Sequence, residues 1–240
     1  MKKETWIQAG WLIDGSGGLI REDVLLHIAH GTIREIRNLT EAHTDQPGMV
    51  NLSDCTLMPG LIDSHVHLFL SGTGAPAVRE RQLDAEFEEI KPFISAHLKQ
   101  AMGCGVLAVR DGGDYAGHAL RYRDLYAEGM PVRIIAAGRA WRKDGRYGKL
   151  IGRPPGKGRS LAEALAAESG GIDHVKIVQS GINSLKEFGK QTRPQFDTEE
   201  LSQAVATAHS LGLKVMVHCN GYLPVASAVQ AGCDSVEHGF

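Results

Sequence analysis

Two histidines separated by one residue, His65 and His67, end an apolar segment that begins at Leu61. Side chains two positions apart on a β-strand point to the same face, so both imidazoles would be directed at one point. Neutral imidazole binds zinc and related divalent metals, and a strand end is rigid enough to hold two such ligands. The spacing therefore favours a metal site, although a pair of surface histidines at a turn would give the same pattern.

Three later segments repeat the pattern of an apolar, β-branched strand that carries a potential ligand. They are residues 173–178, 213–218 and 234–239, and they contain Lys176, His218 and His238. Taken singly, each of these histidines is more often a core residue that is hydrogen-bonded to the backbone. Together with the first pair, they indicate that several strands direct ligands to one place.

The lysine at position 176 is unusual because its strand has the composition of one buried on both faces. A charged ammonium is almost never buried unpaired. Burial lowers the pKa of a lysine, and the neutral amine can add carbon dioxide to become a carbamate, an anionic ligand able to bridge two metals. An ordinary ion pair, or a side chain that reaches the strand end, is the competing interpretation for Lys176.

The order of these motifs resembles that of the amidohydrolase superfamily of metal-dependent hydrolases. In that order, His-x-His lies on a first strand, a lysine on a fourth, and one histidine on each of the fifth and sixth. The local sequence is similar to the family's at 58–67 and 234–239. Residues 105–113 resemble the second-strand segment of the branch that contains imidazolonepropionase-like and prolidase-like enzymes. The resemblance extends over nearly the whole chain.

This resemblance implies a distorted (β/α)8 barrel with two divalent metal ions at the C-terminal ends of its strands. By position, His65 and His67 would bind the more buried metal, and His218 and His238 the other. Lys176, carboxylated by carbon dioxide, would bridge the two. A hydroxide between the metals would attack a carbonyl carbon. Zinc is the first expectation, although manganese, iron and cobalt accept the same ligands.

The expected α/β barrel is incomplete, with about six strands. These strands are predicted near residues 61–67, 105–110, 132–137, 173–178, 213–218 and 235–238. The segment 58–240 is shorter than a complete barrel of about 250 residues, and no residue matches the family's catalytic aspartate at the end of the eighth strand. An open sheet exposes edges that invite pairing. The chain is therefore expected to be truncated at its C-terminus. Four explanations remain open: an expressed fragment, a shortened reading frame, half of a split enzyme, or an oligomer in which a partner chain completes the barrel.

Residues 1–57 have a different pattern, in which short alternating segments are separated by glycine turns. This pattern predicts a small antiparallel sheet, with strands within 6–15, 23–28 and 32–36. The resemblance implies that this region is the N-terminal part of a β-sandwich. The histidines of the region are interpreted as surface or turn residues, namely His27, His30 and His43.

Helices alternate with the barrel strands. They are predicted over 82–102 with a kink at Pro92, and over 116–128, 161–168, 197–212 and 224–232, the fourth beginning at a capping box at Asp197.

Composition indicates an ordinary soluble globular chain, with 26 basic and 28 acidic residues and a net charge of −2. Nothing suggests nucleic-acid binding. No apolar run approaches the roughly 18 residues of a membrane span, and no apolar segment of a signal peptide follows the N-terminus, so a cytoplasmic location is the default expectation. The four cysteines show no CxxC spacing and need not pair.

The loop over 138–160 is rich in arginine, lysine, glycine and proline. It is predicted to be a cationic lid that attracts an anionic small-molecule substrate such as a dipeptide or an acyl amino acid, with Arg139 as a binding residue. A solvated loop is the alternative. The loop over 180–194 is expected to cover the site from the other side. Tyr222 is a second candidate for substrate contact, although a simple loop tyrosine would fit as well.

The sequence thus predicts a metal-dependent amidohydrolase that cleaves an amide or peptide-like C–N bond. The strand lysine favours the subtype with two metals, and an imidazolonepropionase-like or prolidase-like substrate is the first expectation. The alternative is a non-catalytic remnant, or half of a split enzyme, that retains a partial metal site. The missing aspartate favours the alternative, since general acid–base catalysis supplies about 10²–10⁴-fold in rate. The five candidate ligands favour the enzyme.

Overall fold

A computed structural model describes residues 4–40, 48–126, 128–182, 186–187 and 189–239. The chain divides into two compact units, Met1–Gly60 and Leu61–Phe240. His43 lies outside the described residues.

The first unit contains one four-stranded sheet in the order β3-β2-β1-β4. Its strands are β1 (Glu4–Leu12), β2 (Arg21–Ala29), β3 (Thr32–Asn38) and β4 (Val50–Leu57). The first three pair in antiparallel fashion, as predicted. The fourth runs parallel to β1 and was not predicted, because its sequence places polar residues at consecutive positions. Within the described part of this unit there is no second sheet, so the β-sandwich stays a prediction.

The histidines of the first unit differ in their surroundings. The ring of His27 is partly buried and stacks on Trp6, with 4.2 Å between ring centres. The exposed His30 has a positive φ of 52° at the turn between β2 and β3, as expected of a turn residue.

The second unit is an α/β structure with parallel strands. Six of them occupy the predicted positions to within one or two residues: β5 (Leu61–Val66), β6 (Val106–Asp111), β7 (Arg133–Ala136), β10 (His174–Val178), β11 (Lys214–Cys219) and β12 (Ser235–His238). A short parallel pair that was not predicted, β8 (Ala140–Trp141) and β9 (Gly152–Arg153), lies within the loop that follows β7.

These strands form two sheets, β5-β6-β7 and β12-β11-β10-β8-β9. A backbone hydrogen bond from Asp173 to Ala136 joins β7 to the start of β10, so the six predicted strands follow one another in space as they do in sequence. No strand ladder among the described residues joins β12 to β5, so the barrel is not closed. At the β5 edge, Leu61 and Ile62 are 48% and 70% exposed.

Six helices connect the strands of the described chain. They are α1 (Pro76–Gln82), α2 (Phe87–Gly103), α3 (His118–Tyr126), α4 (Leu161–Glu168), α5 (Thr198–Ser210) and α6 (Tyr222–Gln230). The helix predicted over 82–102 is present as α2 but begins five residues later than predicted: α1 ends at Gln82, and α2 begins after Glu86, which forms a capping box with Glu89. Pro92 lies inside α2. The prediction of α4 is confirmed residue for residue, and Asp197 caps α5 by accepting a hydrogen bond from the Glu200 amide.

Two apolar clusters hold the helices against the strands. Ile90 and Ile94 of α2 pack with Val109 and Ile134 of the first sheet. The second cluster joins α4, α5 and α6 to β10 and β11. Rigid packing behind both sheets fixes the positions at which the strand ends present their side chains. None of the described helices is long and apolar enough to cross a membrane, and the four cysteines are unpaired.

Candidate metal centre

Four histidines from three strand ends form a continuous row. His65 lies in β5, His67 directly follows it, and His218 and His238 lie at the ends of β11 and β12. The ring centres are 5.4 Å apart for His65 and His67, 5.0 Å for His65 and His238, and 4.7 Å for His218 and His238. The structure therefore brings together the four histidines selected from the sequence.

Hydrogen bonds fix which nitrogen of the first two histidines carries its proton. His65 Nδ1 lies 2.9 Å from a carboxylate oxygen of Glu237, and His67 Nδ1 lies 2.8 Å from the carbonyl oxygen of Gly113. Both partners can only accept, so both Nδ1 atoms donate and both Nε2 atoms present lone pairs. These two Nε2 atoms lie near one point. A Cβ placed on Gly112 would be 3.4 Å from Nε2 of His65 and 3.2 Å from Nε2 of His67.

His218 is held in the opposite sense. Its Nε2 lies 3.2 Å from the carbonyl oxygen of Gly181, which leaves Nδ1 with the lone pair. No hydrogen bond joins the His238 ring to another residue in the described part of the chain. The backbone of His238 has a positive φ of 72°, a conformation that non-glycine residues rarely adopt and that is concentrated at functional sites.

The amine of Lys176 is buried without a partner. All five residues of β10 are buried, Lys176 is 1% exposed, and its Nζ makes no hydrogen bond. The ion pair considered from the sequence is therefore not formed with any residue that the structure describes. Burial lowers the pKa of Lys176 to about 8, against the opposing charge of Glu237. An orphaned buried amine is costly to maintain and is the kind of group that a carbamate with bound metal would satisfy.

The imidazoles are held in the neutral form that binds metals. Burial, followed by the nearby Lys176, lowers the pKa of His65 to about 3. Burial also lowers the pKa of His218 to about 4 and lowers the pKa values of His67 and His238. Neutral imidazole is the ligand form, so the four rings match the donor chemistry that divalent transition metals require.

As the side chains stand, the row does not form a closed coordination set. No group of three or more His, Cys, Asp or Glu side chains within the described ranges is arranged to hold a metal ion.

A partly buried charge network that was not predicted from the sequence supports His65. Arg110 of β6 donates to one oxygen of Glu237 at 2.8 Å and to the Ser235 hydroxyl at 3.1 Å, while the other Glu237 oxygen accepts from His65. Arg110 also donates to the Ser64 carbonyl at 2.7 Å. Charged residues inside apolar strands were the available signal, since such residues are rarely buried without a partner.

A buried carboxylate supports His67 in a similar way. Asp111, at the end of β6, accepts hydrogen bonds of 2.8 Å from the amides of Leu68 and Gly113. The first amide follows His67 in the chain, and the second belongs to the residue whose carbonyl orients the His67 ring. Burial, followed by the nearby Asp114, raises the pKa of Asp111 to about 7.

A cavity of about 580 Å³ opens on three of the histidines, a size suited to a small organic ligand. Apolar side chains form most of its wall, and the charged residues Arg79 and Glu80 lie on α1. The lining residues are His67, Leu70, Thr73, Gly74, Pro76, Arg79, Glu80, Leu83, Tyr147, Leu150, Ile151, Ile182, His218 and His238. The ring of Tyr147 lies 5.6 Å from that of His218, and burial raises the pKa of its hydroxyl.

The two substrate-binding residues predicted from the sequence do not reach this cavity. Arg139 lines a separate cavity of about 350 Å³ beside α3 and α4, which shares no lining residue with the histidine cavity. Tyr222 is 76% exposed at the start of α6 and lines neither cavity. Arg79 and Tyr147 were missed, although Tyr147 falls within the loop that was predicted to be a lid.

The 138–160 loop contributes apolar rather than basic side chains to the histidine cavity. Tyr147, Leu150 and Ile151 line it. Most of the basic side chains are engaged elsewhere: Arg153 and Arg159 with Glu168, Lys143 with Glu200, and Arg142 and Arg146 with backbone carbonyls. Residues 183–185 and 188 of the second predicted loop lie outside the described residues.

Comparison with solved structures shows the same fold in several hydrolases. A Xaa-Pro dipeptidase with methionine bound in its active site superposes with a TM-score of 0.75 and 26% identity, over 98% of this chain and 61% of that chain. A prolidase in complex with N-methylphosphonate-L-proline gives 0.74 and 22%, over 98% and 61%. Aspergillus niger ochratoxinase gives 0.76 and 20%, over 98% and 60%. This chain is therefore shorter than each of these proteins.

Sequence comparison gives the same picture. An uncharacterized protein of Mycobacterium tuberculosis (strain ATCC 25618 / H37Rv) is 29% identical over 184 residues, which are 76% of this chain and 44% of that protein. The chain thus spans less than half the length of this relative. The family model described as "Amidohydrolase family" matches residues 56–240, which include all four histidines and Lys176. Because that match covers most of the sequence, the chain belongs to the amidohydrolase family.

Proposed function

We propose that this chain carries the metal-binding part of a hydrolase that cleaves an amide or peptide-like C–N bond. The observation that carries the proposal is the row of four neutral imidazoles beside the buried, unpartnered amine of Lys176. Membership of the amidohydrolase family and the likeness to a Xaa-Pro dipeptidase support the bond type.

In this proposal His65 and His67 hold one divalent ion, and His218 and His238 hold a second. Lys176, as its carbamate, would be the anionic ligand shared by the two ions. The protonation pattern supports this division, because Nε2 of His65 and His67 and Nδ1 of His218 carry the free lone pairs. When bound, the ions, zinc being the first expectation, supply Lewis-acid polarisation of the substrate carbonyl and activation of water.

The residues of the chain itself would bind and orient the substrate. The apolar walls of the 580 Å³ cavity would displace bulk water from around the bound amide, which strengthens polar interactions inside. Glu237 and the Gly113 carbonyl hold the rings of His65 and His67 in one orientation. A small-molecule amide, dipeptide or acyl amino acid fits a cavity of this size.

A second candidate is a non-catalytic remnant, or half of a split enzyme. The observation in its favour is that the described residues form no closed set of metal ligands. In either case we expect further strands, from a continuation of the polypeptide or from a partner chain, to pair with the edges at β5 and β12. Support for this comes from the exposed Leu61 and Ile62 at the β5 edge. An eight-stranded barrel and an N-terminal β-sandwich in the whole protein remain part of the proposal.

Metal content per chain tests the proposal. The protein would be purified with zinc and bicarbonate and analysed by plasma mass spectrometry, beside the variants Lys176→Ala and Lys214→Ala. Lys214 is 77% exposed at the start of β11, so its variant controls for the loss of a lysine from a strand. Close to two ions per chain in the wild type and in Lys214→Ala, with loss in Lys176→Ala, would support two ions bridged by a carbamate. Unchanged content in Lys176→Ala would contradict it. Close to none in the wild type would favour the second candidate.

A further inference from the structure

We infer that Arg79 of α1 binds the carboxylate of the substrate, so that the site selects amides whose amine part, released on hydrolysis, is an amino acid with a free carboxyl group. The inference deepens the proposed function and rests on amide cleavage in the histidine cavity. It assigns the recognition of the anion to a residue of the first helix after β5, in place of the arginine-rich 138–160 loop.

The helix α1 presents one face to the histidine cavity. Pro76, Arg79, Glu80 and Leu83 line it, at the spacing i, i+3, i+4 and i+7 that marks one side of a helix. Helix geometry therefore places the Cβ of Arg79 on the side of α1 that faces the cavity.

The end of α1 is tied to the segment that follows His67. Gln82, which is 2% exposed, accepts a hydrogen bond from the Ser71 amide at 3.0 Å and donates to the Ser71 hydroxyl at 2.8 Å. His97 of α2 donates to the Leu68 carbonyl at 2.9 Å. Arg79 lies one turn before Gln82, so these bonds fix its backbone relative to the candidate ligand His67.

The guanidinium of Arg79 is available for a ligand. Among the residues that the structure describes, Arg79 has no hydrogen bond or ion pair, whereas Arg81 on the same helix pairs with Glu89. Of the side chains that line the histidine cavity, Arg79 is the one with a permanent positive charge. A guanidinium binds a carboxylate through two parallel hydrogen bonds, so one free arginine is sufficient to orient such a ligand.

Lys149 is the nearest competing candidate. It lines a neighbouring cavity of about 450 Å³ that shares Leu83, Tyr147 and Leu150 with the histidine cavity. Lys149 does not line the cavity on which the histidines open, and its ammonium is a point charge without the bidentate geometry of a guanidinium. Arg146, in the same neighbouring cavity, already donates to the Arg193 carbonyl.

Two matched probes isolate the carboxylate: N-acetyl-L-methionine and its C-terminal amide, N-acetyl-L-methioninamide. Their affinities for the metal-free protein would be measured by calorimetry, so that no turnover disturbs the titration. We expect the wild type to bind the acid about tenfold or more tightly than the amide, since a charged bidentate pair is replaced by a neutral contact. Arg79→Ala should bind both equally, and Arg79→Lys should retain part of the preference.

Arg81→Ala and Lys149→Ala are the controls, and both should keep the wild-type preference. A preference that survives Arg79→Ala, that is lost in Lys149→Ala, or that is absent from the wild type would overturn the inference. Because Arg79 is exposed, its replacement should leave the melting temperature unchanged, which separates a binding effect from unfolding.

Hydrolysis of the same two probes by the metal-loaded protein tests the proposed function separately. Cleavage of both probes without a preference for the acid would refute the role of Arg79 and leave amide hydrolysis standing. Binding of the acid through Arg79 without cleavage of either probe would support the role of Arg79 and count against amide hydrolysis.

Discussion

Glu237 accepts a hydrogen bond from His65 across the interior of the open barrel, with 2.9 Å between the carboxylate Oε2 and the imidazole Nδ1. Its other oxygen accepts from Arg110 at 2.8 Å, and the carboxylate is 9% exposed. The pair connects β12 to β5, each of which is an edge strand of its sheet. Glu237 therefore orients a candidate metal ligand and also neutralises the half-buried Arg110.

Replacing Glu237 with glutamine should weaken metal binding. The amide oxygen can still accept from His65 but carries no charge, and Arg110 loses its ion-pair partner. Loss of such a supporting carboxylate typically costs about 10–100-fold in metal affinity. Zinc affinity would be measured by competition with a chelator. Glu88→Gln, which breaks the exposed pair with Lys91, is the control and should leave affinity unchanged. Equal zinc affinities for Glu237→Gln and the wild type would remove Glu237 from the metal site.

Gly112 is packed so closely against the candidate ligands that it has no room for a side chain. A Cβ at this position would lie 2.8 Å from Cε1 of His67. Gly112→Ala should therefore displace the His67 ring and reduce metal content. Gly103→Ala is the matched control, because nothing lies within 4 Å of a Cβ there and alanine is favoured in a helix by about 1 kcal/mol. Metal content and melting temperature of the two variants would be compared. Full metal content in Gly112→Ala would show that His67 is not a ligand or that its ring tolerates the shift.

The strand ends were predictable from sequence because β-branched runs mark buried parallel strands. The C-terminal ends of parallel strands lie at the same edge of a sheet, so residues at these ends lie close together. His65, His218 and His238 come together for this reason. The pairing of Arg110 with Glu237 depends on which strands face each other across the interior. Local pattern does not encode that relation, so this pair was missed.

The predicted substrate-binding residue Arg139 lies away from the histidine cavity for a related reason. Arg139 follows β7, which suggested a place on the ligand-binding face, but the chain turns at Gly138, with a φ of 68°, and enters β8. The side chain of Arg139 then lies in the separate cavity beside α3. The position of Arg79 is set by the bonds between Gln82 and Ser71, which periodicity does not reveal.

The stability of the barrel portion should fall in acid through Asp234. Partial burial opposes ionisation of this carboxyl, but hydrogen bonds from Lys214, His209 and the Val215 amide outweigh it and lower its pKa from 3.8 to about 2. A folded-state pKa below the unfolded value contributes stability that is present above about pH 4 and is lost as the pH falls towards 2. Urea unfolding of the wild type and Asp234→Asn between pH 6 and pH 2.5 would test this. The wild type should be the more stable at pH 6, and the difference should shrink in acid. A difference that does not change with pH would rule out the ionised form as its source.

Lys176→Met should stabilise the metal-free protein while removing the proposed bridge. The amine is 1% exposed and makes no hydrogen bond, and an unsatisfied buried polar group costs about 1–3 kcal/mol in proteins. Methionine has a similar length and flexibility and fills the same space without that cost. The free energy of unfolding should therefore rise by about 1–3 kcal/mol in chelator without bicarbonate.

In zinc and bicarbonate the order of stability of the two proteins should reverse, because bound metal stabilises only the wild type. Lys99→Met, at an exposed position of α2 where the lysine has no hydrogen bond or ion pair with any described residue, should change neither measurement by more than about 0.5 kcal/mol. If Lys176→Met is less stable than the wild type in both conditions, the amine contributes to the fold itself and a role confined to the metal site is wrong.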